Sequence, residues 1–80
     1  MRQKPARFLV VIDSAGEMIA RMFDDTRKLL VDFDASSSEV AVMTQGLVPT
    51  NEALEPAWNT ALAGHSATER RAAEVYLLDV

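Results

Sequence analysis

Residues Arg7 to Asp13 read RFLVVID, an unbroken apolar run with basic residues before it and a turn after it. Side chains of a strand alternate between its two faces, so Phe8, Val10 and Ile12 point one way and Leu9 and Val11 the other. Both sets are apolar, which is the pattern of a strand covered on both sides. This segment is therefore expected at the centre of a small sheet, with the rest of the chain arranged around it.

The next stretch, Asp13-Ser14-Ala15-Gly16-Glu17, allows two folds. In one, Ser14 and Ala15 form a type I turn, Gly16 takes the left-handed position of a bulge, and Met18 to Phe23 returns as an antiparallel strand. In the other, Ser14 caps a helix, Glu17 completes a capping box, and the helix runs to Phe33. Met18, Ile19, Met22, Phe23, Thr26, Leu29, Leu30 and Phe33 then form its apolar stripe. A glycine in the first turn, Asp24-Asp25-Thr26 in the middle and Val31 on the polar side favour the hairpin. Asp24 or Asp25 then caps a shorter helix whose inner face is Leu29, Leu30 and Phe33.

Beyond a serine loop at Ala35 to Ser38, the alternation in Glu39 to Thr44 (EVAVMT) predicts a strand, and Gln45-Gly46 turns the chain. Leu47 to Asn51, interrupted by Pro49, reads as irregular. Pro56 after Glu55 suits the first helical position, so a helix is expected from Pro56 to Ala63, with Trp58, Ala61 and Leu62 inward and Gly64 ending it. Ser66-Ala67-Thr68-Glu69 has capping-box spacing and predicts a short helix from Ala67 to Ala73. Glu74 to Val80 alternates as a final strand. The expected fold class is α+β, a small two-layer sandwich of about four strands with two or three helices on one face, in the order ββαβααβ. With the long helix it becomes a three-layer βαβαβ arrangement. One domain covers residues 1–80, and residues 1–6, broken by Pro5, form a loose basic arm.

Stability bears on function in so short a chain. Of its 80 residues 49% are hydrophobic, which is ample for one core, but a chain of this size buries only about 60–65% of its unfolded surface. Without cysteine it has no disulfide or thiolate-metal staple, so pairing with a second copy is the cheapest further source of burial. The five apolar residues behind the basic start do not resemble a signal peptide, and no segment approaches the ~20 apolar residues of a membrane span. The expected location is cytoplasmic, with no membrane role.

Catalytic and ligand-binding signals are absent from the sequence. One histidine and no cysteine exclude the usual zinc arrangements. The close acid pairs, Asp24-Asp25 and Asp32/Asp34, read as caps or solvated surface. His65 beside Ser66 reads as a turn residue next to a helix cap rather than a base beside a nucleophile. The three glycines stand apart, so there is no phosphate-binding loop. No catalytic residue, cofactor or metal is assigned. Met18, Met22 and Met43 read as core filling, as does Trp58.

Net charge is −4, and between Leu29 and Glu69 there is no lysine or arginine. A duplex-binding surface needs several phosphate contacts, so nucleic-acid binding is disfavoured. The expected function is a non-enzymatic regulatory or accessory module acting as a homodimer with an unidentified protein partner. Its interface is placed at Tyr76, Leu78 and Val80, on a terminal strand that neither proline nor lysine blunts. The alternative is a nucleic-acid-binding regulator that brings together Arg2, Lys4 and Arg7 from two protomers.

Overall fold

The structure is a computed structural model that describes residues 5–14 and 16–78. Three strands come first, β1 (Phe8–Ser14), β2 (Glu17–Phe23) and β3 (Leu29–Ala35), followed by helix α1 (Ser37–Met43) and the two-residue strand β4 (Pro49–Thr50). Two single 3₁₀ turns at Glu52–Leu54 and Pro56–Trp58 lead to helix α2 (Ala67–Ala72) and strand β5 (Glu74–Leu77). The five strands form one sheet in the order β3-β2-β1-β5-β4, and every pairing is antiparallel. The fold is mixed α+β.

β1 lies in the middle, between β2 and β5, and Leu9, Val10, Val11 and Ile12 are all buried. One side of the sheet gathers Val10, Ile12, Phe23 and Val75 under Ala53, Trp58, Leu62 and Ala73. The other gathers Leu9, Val11, Ala20 and Tyr76 under Val40 of α1. Helical segments thus cover both sides of β1, as its two apolar faces demand, and are not confined to one face.

The hairpin reading of residues 13–23 holds, and the long helix is excluded. β1 and β2 pair without interruption from Phe8 opposite Phe23 to Ser14 opposite Glu17, with Gly16 at φ 86°. The ladder contains no bulge there. The bulged turn instead connects β2 to β3: Arg27 N–H donates to the Asp24 carbonyl at 3.0 Å, Asp24 N–H donates to the Lys28 carbonyl at 3.0 Å, and Arg27 occupies the left-handed region at φ 65°. The buried Asp24 carboxylate organises this turn by accepting from Thr26 N–H (2.8 Å), the Thr26 hydroxyl (2.7 Å) and Lys28 N–H (2.9 Å).

Three expected elements are corrected. Leu29, Leu30 and Phe33 belong to strand β3, not to a helix. Val31, Phe33 and Ala35 alternate with Asp32 and Asp34 along it, an inside/outside pattern that the helical spacing of the leucines had masked. Glu39 to Thr44 is not a strand, because Ser36 and Glu39 close a capping box in which each side chain accepts the other's backbone N–H, and α1 starts there. The segment from Pro56 to Ala63 makes only one 3₁₀ turn, at Pro56–Trp58, before continuing as turns to Gly64 at φ 93°. Glu55 precedes that turn but its side chain makes no capping hydrogen bond. The capping box at Ser66 and Glu69 is present as expected, and α2 follows it. β5 runs over Glu74–Leu77, the first part of the expected terminal strand.

Trp58 is the centre of the larger cluster and has no exposed surface. Phe8 and Phe23 meet its ring edge-on at centroid distances of 5.2 and 5.3 Å, and the Arg27 guanidinium lies 5.0 Å from the Phe8 centroid and 5.1 Å from that of Trp58. A left-handed backbone at a non-glycine residue costs of order 1 kcal/mol; here it delivers a cation onto two aromatic faces. Truncating Trp58 to alanine should cost ~3–5 kcal/mol and unfold most of the population at room temperature. Urea denaturation followed by circular dichroism checks this, and a Trp58→Ala protein with an unchanged midpoint would contradict it.

Candidate functional site

Among the five strands, β3 has a single partner, β2, and therefore presents an outer row of backbone N–H and C=O groups. Register places Val31, Phe33 and Ala35 on the same face as Met22, Ala20 and Met18, and Asp32 and Asp34 on the same face as Arg21 and Ile19. Next to the edge the apolar face is thinly covered. Within α1 only Val40 is buried, Met22, Phe33 and Met43 are half-buried, and Val31 keeps 45% and Val42 73% of their surface exposed. Lys28, just before β3, and Asp34, near its end, are both exposed, so the strand is basic at one end and acidic at the other.

The opposite face carries a line of polar side chains drawn from three parts of the chain. Arg21 Nε lies 3.9 Å from Asp32 Oδ2, Arg21 Nη1 lies 2.7 Å from His65 Nε2, and His65 Nδ1 lies 3.6 Å from Glu69 Oε1. A guanidinium only donates, so in this contact His65 Nε2 is placed to accept while Nδ1 faces the Glu69 carboxylate. His65 thereby fastens the turn before α2 to the middle of β2. It is not beside a nucleophile in use, since Ser66 Oγ accepts from Glu69 N–H as the helix cap. Neither Arg21 nor its pairing with His65 was readable from the sequence, because 44 positions separate the two residues.

A cleft of about 440 Å³ opens between the β1–β2 hairpin and the start of α1, with Glu17 and Asp34 at its wall. Its hydroxyls are engaged: Ser36 caps α1, and the Ser37 hydroxyl donates to the Met18 sulfur at 3.6 Å. Among the described residues no three His, Cys, Asp or Glu side chains are grouped to hold a metal ion, and no helix is long and apolar enough to cross a membrane.

Other residues singled out by sequence fall in separate places. Arg2, Lys4 and Val80 lie outside the described residues. Arg7 is exposed and donates to the Leu78 carbonyl at 3.3 Å. Tyr76 is buried, its hydroxyl bonded to Glu74, and Leu78 is half-buried. The outer side of β5 is not open at Val75 and Tyr76, because Thr50 and Pro49 of β4 pair with them. Several basic side chains are occupied internally: Arg27 covers the aromatic pair, and Arg70 donates through Nε and Nη2 to the Ala53 carbonyl at 3.1 and 2.7 Å. With this geometry in place, comparison with known proteins adds no relative: no protein-family model matches the chain, and neither a curated protein nor a solved structure matches it.

Burial holds the Tyr76 hydroxyl above its usual pKa of 10.0, with the Glu74 hydrogen bond and negative charge acting in the same direction. A raised pKa in the folded state means the unfolded chain loses this proton first, so the contribution is intact below about pH 10 and fades as pH rises through the folded value. Thermal melts between pH 9 and 11 should therefore fall more steeply for the wild type than for Tyr76→Phe. Parallel curves would contradict this assignment.

Proposed function

We propose that this chain is a small regulatory or accessory interaction module with no catalysis of its own, and that it works as a homodimer. The observation that carries this reading is the open edge of β3 beside a thinly covered apolar face. A seven-residue edge strand with neither proline nor lysine within it exposes backbone groups that a partner strand satisfies. Beside it, Met22, Val31, Phe33 and Met43 offer apolar surface whose burial adds about 25 cal/mol per Å², a useful supplement for an 80-residue core. The polar side chains elsewhere support the same reading, since Asp24, His65 and Ser66 serve the turn, the fastening of α2 and its cap.

The interface placed by sequence on the terminal strand is less well supported, with Tyr76 buried and β4 alongside it. A nucleic-acid role gains no support either, as Arg21, Arg27 and Arg70 are committed to contacts within the fold. Sedimentation equilibrium at 5 to 100 micromolar should return about twice the 8.8 kDa chain mass. A monomer across that range overturns the homodimer. Titration of the same sample with random duplex DNA in low salt should show no binding, and tight, salt-sensitive binding would favour the nucleic-acid regulator instead.

A further inference from the structure

We infer that the occupant of the open edge is the basic arm before β1 of a second copy, laid along β3 so that Arg2 and Lys4 stand against Asp32 and Asp34; this rests on the homodimer reading above. Asp32 and Asp34 share a face with Arg21 and Glu17 of β2, and Glu17 and Asp34 line the same cleft. On that face β2 and β3 together set three acids against one arginine, whose Nε lies 3.9 Å from Asp32. A second β3 does not fit such an edge. Antiparallel pairing of β3 with itself sets Asp32 against Asp34, or one of them against its own copy, in every register centred on Asp32, Phe33 or Asp34, and like charges directly opposite are destabilising. Nearer the start of β3 the register shift opposite Met22 and Phe23 breaks the alternation.

The chain carries the complementary pattern itself. Arg2 and Lys4 are two positions apart, as are Asp32 and Asp34, so along an extended segment both cations fall on one face and can meet both acids. The arm of the same chain cannot take this place. Arg7 is held beside β2 by its N–H on the Phe23 carbonyl at 2.7 Å, and Asp32 lies level with Val10 across Arg21. A strand outside β3 at that level is three strand spacings across and three residues along from Arg7, about 17 Å away, whereas the three residues back to Lys4 span at most about 11 Å. The level of Asp34 is farther still. An arm on this edge therefore comes from another molecule, and two copies that each lend an arm form a closed two-fold pair.

Two charge-reversed chains test the exchange. One carries Arg2→Glu with Lys4→Glu, the other Asp32→Lys with Asp34→Lys, and both acids are at exposed positions. Each variant alone sets like charges at both of its arm contacts, so in sedimentation at low salt each should dimerise at least about tenfold more weakly than the unaltered chain. Mixed in equal amounts, the two should recover an affinity within about threefold of the unaltered chain, since every arm then meets an edge of opposite charge. Circular dichroism checks that the second variant keeps its fold; if it does not, the first, altered only in the arm, decides alone. An arm variant that dimerises as tightly as the unaltered chain, or two folded variants whose mixture recovers nothing, overturns the arm exchange and leaves the homodimer standing. An unaltered chain that is monomeric overturns both.

Discussion

Burial of β1 on both faces is the constraint from which the rest of the structure follows. Its four central side chains are all removed from water, two on each side, and each aliphatic side chain so buried contributes about 1.5–3 kcal/mol. A strand of this kind needs strand neighbours on both sides and cover above and below. β2 and β5 supply the first, and the segments carrying Trp58 and Val40 supply the second. The cover is unequal. One side has Trp58, Leu62, Ala53 and Ala73, whereas the other has a single short helix that buries Val40. The thinner side is also the side on which the residues beside the open edge remain partly exposed.

The β2–β3 turn links core and edge. Asp24 inside the turn and Arg27 at its left-handed position determine where β3 starts, and Arg27 also closes the aromatic cluster around Trp58. One five-residue connection therefore ties the packing of the core to the geometry of the strand at the periphery. Buried polar atoms remain in this region. Trp58 Nε1 and Arg27 Nε have no hydrogen-bond partner among the described residues, and such atoms are costly unless the surrounding contacts compensate. Here the ring contacts of Phe8, Phe23 and Arg27 occupy the surroundings of the indole.

Much of the fold was legible in the sequence wherever two independent signals agreed. The double-faced apolar run and the turn at Gly16 located β1 and the hairpin, and the spacing of Ser66 and Glu69 located α2. Errors arose where one signal was read without its competitor. In residues 29–35 the helical spacing of Leu29, Leu30 and Phe33 competed with an alternation of Asp32 and Asp34 against Val31, Phe33 and Ala35, and sheet pairing decided in favour of the alternation. In residues 36–43 the alternation of EVAVMT competed with Ser36 and Glu39, and the capping box prevailed because it satisfies backbone donors at once. The edge itself could not be read from one sequence. Which strand lies outermost depends on β5 joining β1 on the side away from β2, a contact between residues more than 60 positions apart.

Native-state hydrogen exchange at two protein concentrations tests the central claim most directly, namely that a doubly covered β1 leaves β3 as the edge that a second chain completes. The amides of Leu9 to Ile12 should exchange slowest in the molecule and equally at both concentrations, because their protection comes from within one chain. Alternate amides of Val31 to Ala35, those directed away from β2, should be protected at 200 micromolar and lose that protection at 1 micromolar as the dimer dissociates. Fast exchange of those amides at both concentrations, or slow exchange that ignores dilution, would contradict the account.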